Sequence, residues 1–296
     1  MTAPVVGVLG LGVMGAPMAH HLLAARGALH VWARRPASAT ELVAAGATWH
    51  GSPRELAAAV DVLVVVLPDL PDLEALLDGE DGVLAGVTGR LLVVVCSTVS
   101  PDGIRNLDAR LRASTDDAVR VVDAPVSGGE EGAVAGTLSI MVGGSTDDAR
   151  TALDVLAACG RAEHLGPLGA GQVAKACNQM IVAATVQALG EASVLAERSG
   201  LDVGRLLDLL GAGYAGSRVL DVKAHRFATH DHSPSGAARF MVKDLGFAAA
   251  EAERTGTSTP QLDVLRATFT ALTDAGLGDA DTSVVQRYLA ELPRTV

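Results

Sequence analysis

Val5-Val6-Gly7-Val8-Leu9-Gly10-Leu11-Gly12-Val13-Met14-Gly15-Ala16-Pro17-Met18-Ala19 decides the fold. An apolar run of strand length meets three glycines spaced G-x-G-x-x-G, and a helical stretch follows from Met14 to Ala25. Strand before and helix after make the glycine spacing informative. Gly10 permits a tight turn, Gly12 lets a pyrophosphate approach the backbone, and Gly15 lets the helix pack closely on the strand. The helix start then offers unbonded N–H groups and a positive dipole end to phosphates. Gly10, Leu11, Gly12, Val13, Met14 and Gly15 are therefore candidate dinucleotide contacts.

Working outward, the first half alternates short apolar runs with Ala/Leu-rich helical stretches. Strands are expected at Val5–Leu9, His30–Ala33, Val62–Leu67, Leu91–Val95, Val119–Asp123 and Leu138–Val142. Unbroken apolar runs mark strands buried on both faces, and the β-α-β alternation points to an open, mostly parallel sheet. The pattern changes near Gly166. Residues 172–198 lack proline and carry apolar residues at helical spacing (Val173, Cys177, Met180, Ile181, Ala184, Ala188, Val194), which predicts one long helix. Helical segments follow near Val203–Leu210, Phe240–Arg254, Gln261–Asp274 and Ser283–Leu292, with no further strand. Two domains are expected: residues 1–164 bind the nucleotide, and the all-helical residues 165–296 serve substrate and oligomerisation.

Bulk properties narrow the function classes. A formal net charge of −11 disfavours nucleic-acid binding, which needs a basic face. Cys96, Cys159 and Cys177 are odd in number and form no C-x-x-C, so neither a disulfide framework nor a metal site is expected. The unbroken apolar runs are strand-sized, and the stretch Met1-Thr2-Ala3-Pro4 lacks the basic-then-apolar pattern of a leader. A cytoplasmic protein without a membrane association is the expectation.

Further candidates lie at expected strand ends. An NAD-preferring site places Asp or Glu about 20 residues past the glycines; here Ala33 is followed by Arg34 and Arg35. A guanidinium binds a 2′-phosphate bidentately, so NADP(H) is the expected preference, with NAD(H) still accommodated. Leu67, Pro68 and Thr98 end two more strands, where ligands of open parallel sheets collect. Asp123-Ala124-Pro125-Val126-Ser127-Gly128-Gly129 offers a hydroxyl and exposed amides suited to a carboxylate. At the start of the long helix, Lys175 and Asn178 share one face. The helix dipole disfavours a cation there, which suits Lys175 to general acid/base work. Lys243, in another helical stretch, is a further cation within reach of cofactor or substrate.

Taken together and in order, these stretches resemble the β-hydroxyacid dehydrogenase family. The resemblance runs through Gly10–Ala19, Leu67-Pro68-Asp69, Ser97-Thr98, Asp123–Gly129, Gly136-Thr137-Leu138, Met141–Gly144, Gly171–Gln179, Lys243-Asp244-Leu245 and Asp281-Thr282-Ser283. It implies an α/β chain: an N-terminal Rossmann-type doubly wound parallel sheet, with a C-terminal all-α domain joined by a long helix. It implies Lys175 as the catalytic residue, Ser127, Gly128, Gly129, Asn178 and Gln179 at the substrate, and Thr98 and Lys243 at the cofactor. Ala33-Arg34 resembles the Asn-Arg of NADP-type members, with Asn replaced. The family implies hydride transfer between a nicotinamide and a short β-hydroxy acid or semialdehyde, of 2-hydroxy-3-oxopropionate reductase or 3-hydroxyisobutyrate dehydrogenase type. It also implies a homodimer or homotetramer packed through the helical domain. Two alternatives remain at this point: an imine reductase, and a non-catalytic nucleotide-binding module of the same fold.

Overall fold

The computed structural model describes residues 3–293; Met1 and Thr2, part of the stretch read above as lacking a leader, lie outside them. The chain falls into two compact units, Met1–Lys175 and Ala176–Val296. This division lies inside the long helix rather than before it at residue 164. Residues 160–166 form a sheet strand, and the first turns of the helix pack with that sheet.

The first unit is built on strands β1 (Val6–Leu9), β2 (His30–Trp32), β3 (Thr48–Trp49), β4 (Val62–Val65), β5 (Leu91–Val95), β6 (Val119–Asp123), β7 (Val126–Ser127), β8 (Leu138–Gly143) and β9 (Gly160–Gly166). Their order is β3-β2-β1-β4-β5-β6-β8-β7, with β9 on β8. β1 to β6 run parallel, whereas β8 is antiparallel to β6 and β7. Helices α1 (Gly15–Arg26), α2 (Thr40–Ala44), α3 (Pro53–Ala58), α4 (Leu70–Leu77), α5 (Val83–Gly86), α6 (Pro101–Ser114), α7 (Gly129–Ala135) and α8 (Thr146–Leu156) connect them.

Alternate residues of the central strands enter two separate cores. Val62 and Val64 join Met18, Leu22 and Val155 on one face of the sheet. Leu63 and Val65 join Leu56, Leu73 and Ile104 on the other. That two-sided burial is why these strands read as unbroken apolar runs. Each fully buried Val, Leu or Ile contributes about 1.5–3 kcal/mol.

The sheet reverses its winding beside β1. From β1 the chain moves outward to β2 and β3, then returns to β4 on the opposite side of β1. Trp32, Leu9, Val65, Val95 and Asp123 stand in one row across the parallel strands, each the last or paired-last residue of its strand. The loops leaving that row, at Gly10, Arg34, Leu67, Thr98 and Ala124, therefore emerge on one edge, where open sheets bind ligands.

The long helix α9 (Ala170–Arg198) crosses the unit boundary and is followed by α10 (Val203–Gly211), α11 (Arg218–Thr229), α12 (Arg239–Thr255), α13 (Pro260–Leu272) and α14 (Val285–Glu291). Ala183, Val186 and Leu189 of α9 join Phe227, Leu245 and Phe269 in the core of the second unit. By length and composition α9 could cross a membrane, unlike the strand-sized runs, yet half of its most apolar window is buried inside the protein. Buried Gln172, Lys175, Gln179, Gln187 and Ser193 also interrupt it.

Candidate active site

The glycine turn shows which of its residues the fold itself requires. Gly10 has φ +103°, and a Cβ there would lie 2.3 Å from the Val66 carbonyl oxygen. A Cβ at Gly15 would lie 2.0 Å from the Gly10 carbonyl oxygen. At Gly12, by contrast, a Cβ would meet nothing within 4 Å. The turn thus leaves open space at the one glycine whose absence of side chain the protein's own packing does not explain. Behind it, α1 starts at Met14 with no side-chain cap and no acidic residue in its first turn. A positive dipole end and a clear approach fit a bound pyrophosphate. Leu11 is buried, and Val13 is exposed beside the turn.

The neighbouring loops are tied to this turn. The Leu67 side chain lies 3.0 Å from the position of a Gly10 Cβ. The Leu67 amide donates to Ser97 Oγ at 3.0 Å, which joins the loops after β4 and β5. Asp69, next to Pro68, is the N-cap of α4 and accepts from the Leu70 amide. Arg34 and Arg35 follow β2 as exposed side chains with no ion-pair partner among the described residues.

Sequence reasoning passed over two residues that organise the next part of the site. Asp123 is fully buried at the end of β6 and accepts from the Gly169 and Gln172 amides, each at 2.7 Å. It therefore caps α9 from a distant strand. Burial pushes its carboxyl up to about 6; the two amide bonds and Arg105 act in the opposite sense. Gln172, 1% exposed, donates to the Ser97 carbonyl and accepts from the Val99 amide, both at 2.9 Å. Its single amide grips the backbone on both sides of Thr98. Lys175 follows Gln172 by three residues on the same helix face and is 7% exposed. An arbitrary surface lysine would be solvated; this one is enclosed.

Ser127 ends β7 opposite Ser139. Gly128 and Gly129, with φ +139° and +65°, turn the chain into α7. The first turn of α7 carries Glu130 and Glu131, which already complement its dipole.

The remaining predicted positions belong to the second unit and form one hydrogen-bonded chain. Asn178 Nδ2 donates to Gln179 Oε1 at 2.9 Å, and Gln179 Nε2 donates to Asp244 Oδ2 at 2.7 Å. Lys243 Nζ donates to the other Asp244 oxygen at 3.0 Å. The buried Gln179 amide is thus engaged by protein groups, including a 3.8 Å contact to Met241 Sδ.

A doubly wound sheet with a glycine turn open to a pyrophosphate, and an enclosed lysine one helical turn beyond the glutamine that bonds the loop after β5, define a nicotinamide-type oxidoreductase. Comparisons with known proteins agree. Residues 5–179 match the family described as the NAD-binding domain of 6-phosphogluconate dehydrogenase, and residues 169–289 match the NAD-binding domain of NADP-dependent 3-hydroxyisobutyrate dehydrogenase. The chain is 37% identical to NAD-dependent L-serine dehydrogenase of Pseudomonas aeruginosa, over 94% of this chain and 95% of that one. It is 33% identical to 2-hydroxy-3-oxopropionate reductase of Escherichia coli, over 96% of each. The solved Mycobacterium tuberculosis 3-hydroxyisobutyrate dehydrogenase with L-serine aligns with a TM-score of 0.82 and 31% identity, over 97% and 99%. An imine reductase of Myxococcus stipitatus shares the fold alone, at 19% identity and a TM-score of 0.64 over 98% and 100%. The chain belongs to the β-hydroxyacid dehydrogenase family, and the imine-reductase alternative is not supported.

Proposed function

We propose that this enzyme transfers hydride reversibly between NADP(H), in preference to NAD(H), and a short β-hydroxy acid or its semialdehyde, with Lys175 as general acid/base. The observation that carries the reading is the enclosure of Lys175, 7% exposed, one turn along α9 from the amide that grips the Thr98 loop. Bound nicotinamide supplies or accepts the hydride. Gly10 to Gly15 and the start of α1 hold the pyrophosphate. Leu67, Pro68 and Thr98 line the path toward the reacting end, and Lys243 adds a cation to the cofactor. In reduction Lys175 donates a proton to the substrate oxygen; in oxidation it takes the proton back. Asn178 orients that oxygen, and Gln179 fixes Asn178.

The proteins named above share a substrate pattern: L-serine, 3-hydroxyisobutyrate and 2-hydroxy-3-oxopropionate are carboxylates with oxygen on the third carbon. Ser127 with the Gly128 and Gly129 amides is the carboxylate cradle in this reading. With Glu130 and Glu131 at the start of α7, the cradle relies on hydrogen bonds rather than on the helix dipole. NADP preference rests on Arg34 and Arg35, exposed and unpaired among the described residues where an NAD site would place a carboxylate. The assembly is a homodimer or homotetramer through the helical unit, supported by the exposed Ile181 and Leu195 of α9. With free cysteines and a charge of −11, we place it in the cytoplasm, acting on small anions without nucleic acid or membrane.

The test is a panel of serine, 3-hydroxyisobutyrate, tartronate semialdehyde, 4-hydroxybutyrate and glyoxylate with both cofactors, on the wild type and on Lys175→Met. An acid with oxygen on its third carbon, paired with NADP(H), should give the highest kcat/KM. Lys175→Met should lose about 10²–10⁴ in rate while still binding cofactor. Turnover near that of the wild type in this variant would end the assignment.

A further inference from the structure

We propose that Gln172 is a positioning residue: its amide locks the Ser97-Thr98-Val99 loop to the helix that carries Lys175, so that cofactor and proton donor are held in one frame. The inference rests on the reading of Lys175 and Thr98 given above and extends it to a residue that touches neither reactant.

The geometry is specific. A primary amide presents one acceptor and a pair of donors. Gln172 Oε1 accepts from the Val99 amide and Nε2 donates to the Ser97 carbonyl, each at 2.9 Å. The residue between them, Thr98, half-buried, is thereby carried on a backbone fixed on both sides. The loop is fixed a third time through the Ser97 hydroxyl, which accepts from the Leu67 amide. The other end of the lock is equally rigid. Asp123 holds the Gly169 and Gln172 amides, and Arg105 Nε donates to the Leu168 carbonyl at 3.2 Å. A Cβ at Gly171 would lie 2.1 Å from the Met141 carbonyl oxygen, and one at Gly143 would lie 2.4 Å from Asp123 Oδ1. The start of α9 therefore cannot shift against β6 and β8 without breaking close contacts. Lys175, three residues beyond Gln172, inherits that placement.

Why an amide is used follows from the chemistry of the two groups it meets. A backbone carbonyl needs a donor and a backbone amide needs an acceptor, both in a buried site. Methionine would fill the same space and satisfy neither. A glutamate carboxylate would satisfy Val99 and repel the Ser97 carbonyl, whereas a protonated carboxyl would satisfy both.

The experiment compares Gln172→Met, Gln172→Glu and Lys175→Met with the wild type. It measures kcat, KM, the NADPH dissociation constant by fluorescence, and hydrogen exchange of the segment around Val99 in the free protein. Gln172→Met should lose about 10–100-fold in kcat, as expected for a misplaced reacting pair. Its NADPH affinity should stay within about threefold of the wild type, and exchange around Val99 should rise about tenfold or more. Gln172→Glu should be equally impaired at pH 8 and should recover relative to the wild type as the pH falls. Asp123, Arg105, Lys175 and His164, whose Nε2 meets the Gly166 carbonyl at 2.8 Å, are ionisable groups around this helix start; both proteins share them, so the ratio isolates the new carboxyl. A kcat within twofold of the wild type in folded Gln172→Met, with Lys175→Met inactive, would overturn the positioning role and leave Lys175 standing. Should Gln172→Met not fold, a pH-independent ratio for Gln172→Glu would overturn it instead. An active Lys175→Met would remove the reading beneath both.

Discussion

At the scale of single residues, Gly12 and Gly15 separate binding from folding. Both belong to one motif, yet only Gly15 is required by the chain's own contacts. Gly12→Ala adds a methyl to empty space in a backbone conformation open to any residue. Its thermal midpoint should stay within about 2 °C of the wild type, since removing glycine freedom from the unfolded chain is itself mildly stabilising. Its affinity for NADPH should drop tenfold or more, because the methyl occupies the phosphate's approach. Gly15→Ala drives a methyl to 2.0 Å from the Gly10 carbonyl oxygen and should cost about 1–3 kcal/mol or more of stability. Unfolding of the free proteins and a fluorescence titration check both. Unaltered NADPH binding by Gly12→Ala would show that no phosphate sits at this turn.

At the scale of elements, the ion-capped start of α9 links stability to pH. Burial raises the Asp123 carboxyl to about 6 from 3.8. Between those values the folded chain binds the proton and the unfolded chain does not. This group's contribution to stability therefore grows as pH falls from about 7 to 4 and is lost as pH rises through about 6. In Asp123→Asn that dependence is gone. The stability of the wild type minus that of the variant, measured by urea unfolding, should increase steadily from pH 7 to pH 4. A constant difference across this range would mean that burial does not govern the carboxyl.

The same elements show what sequence can and cannot reveal. β4 and β5 were legible because both their faces are apolar. β9 was not: its residues alternate between exposed and half-buried, and Arg161, Glu163 and His164 mask a strand at the sheet's flank. β3 and β7 are two residues each, too short for any period. α11 escaped because only Leu220 and Phe227 of its twelve residues are buried. In the site, the glycine turn and Lys175 carry local patterns. The bonds of Asp123 and Gln172 join positions 46 to 75 residues apart, and no local spacing encodes them.

At the scale of the whole molecule, the assembly proposed above rests on the face of α9 away from its own core. Cys177, Ile181, Ala188 and Leu195 recur at helical spacing along it, and Ile181 and Leu195 are each 69% exposed. A large aliphatic side chain left in water forgoes about 1.5–3 kcal/mol that burial would return. A second copy of the same helix presents the same stripe, and a self-complementary patch on both partners is what a two-fold interface needs. The wild type should therefore sediment as a dimer or tetramer. Ile181→Glu combined with Leu195→Glu should shift it to monomer, because closing the interface would bury four carboxylates without partners. The helix-facing residues Ala183, Val186 and Leu189 lie on the opposite side in the unit's own core, so helical content by circular dichroism should be unchanged. A wild-type protein that sediments as a monomer at micromolar concentration, or a double variant that still assembles, would place the contact elsewhere or remove it.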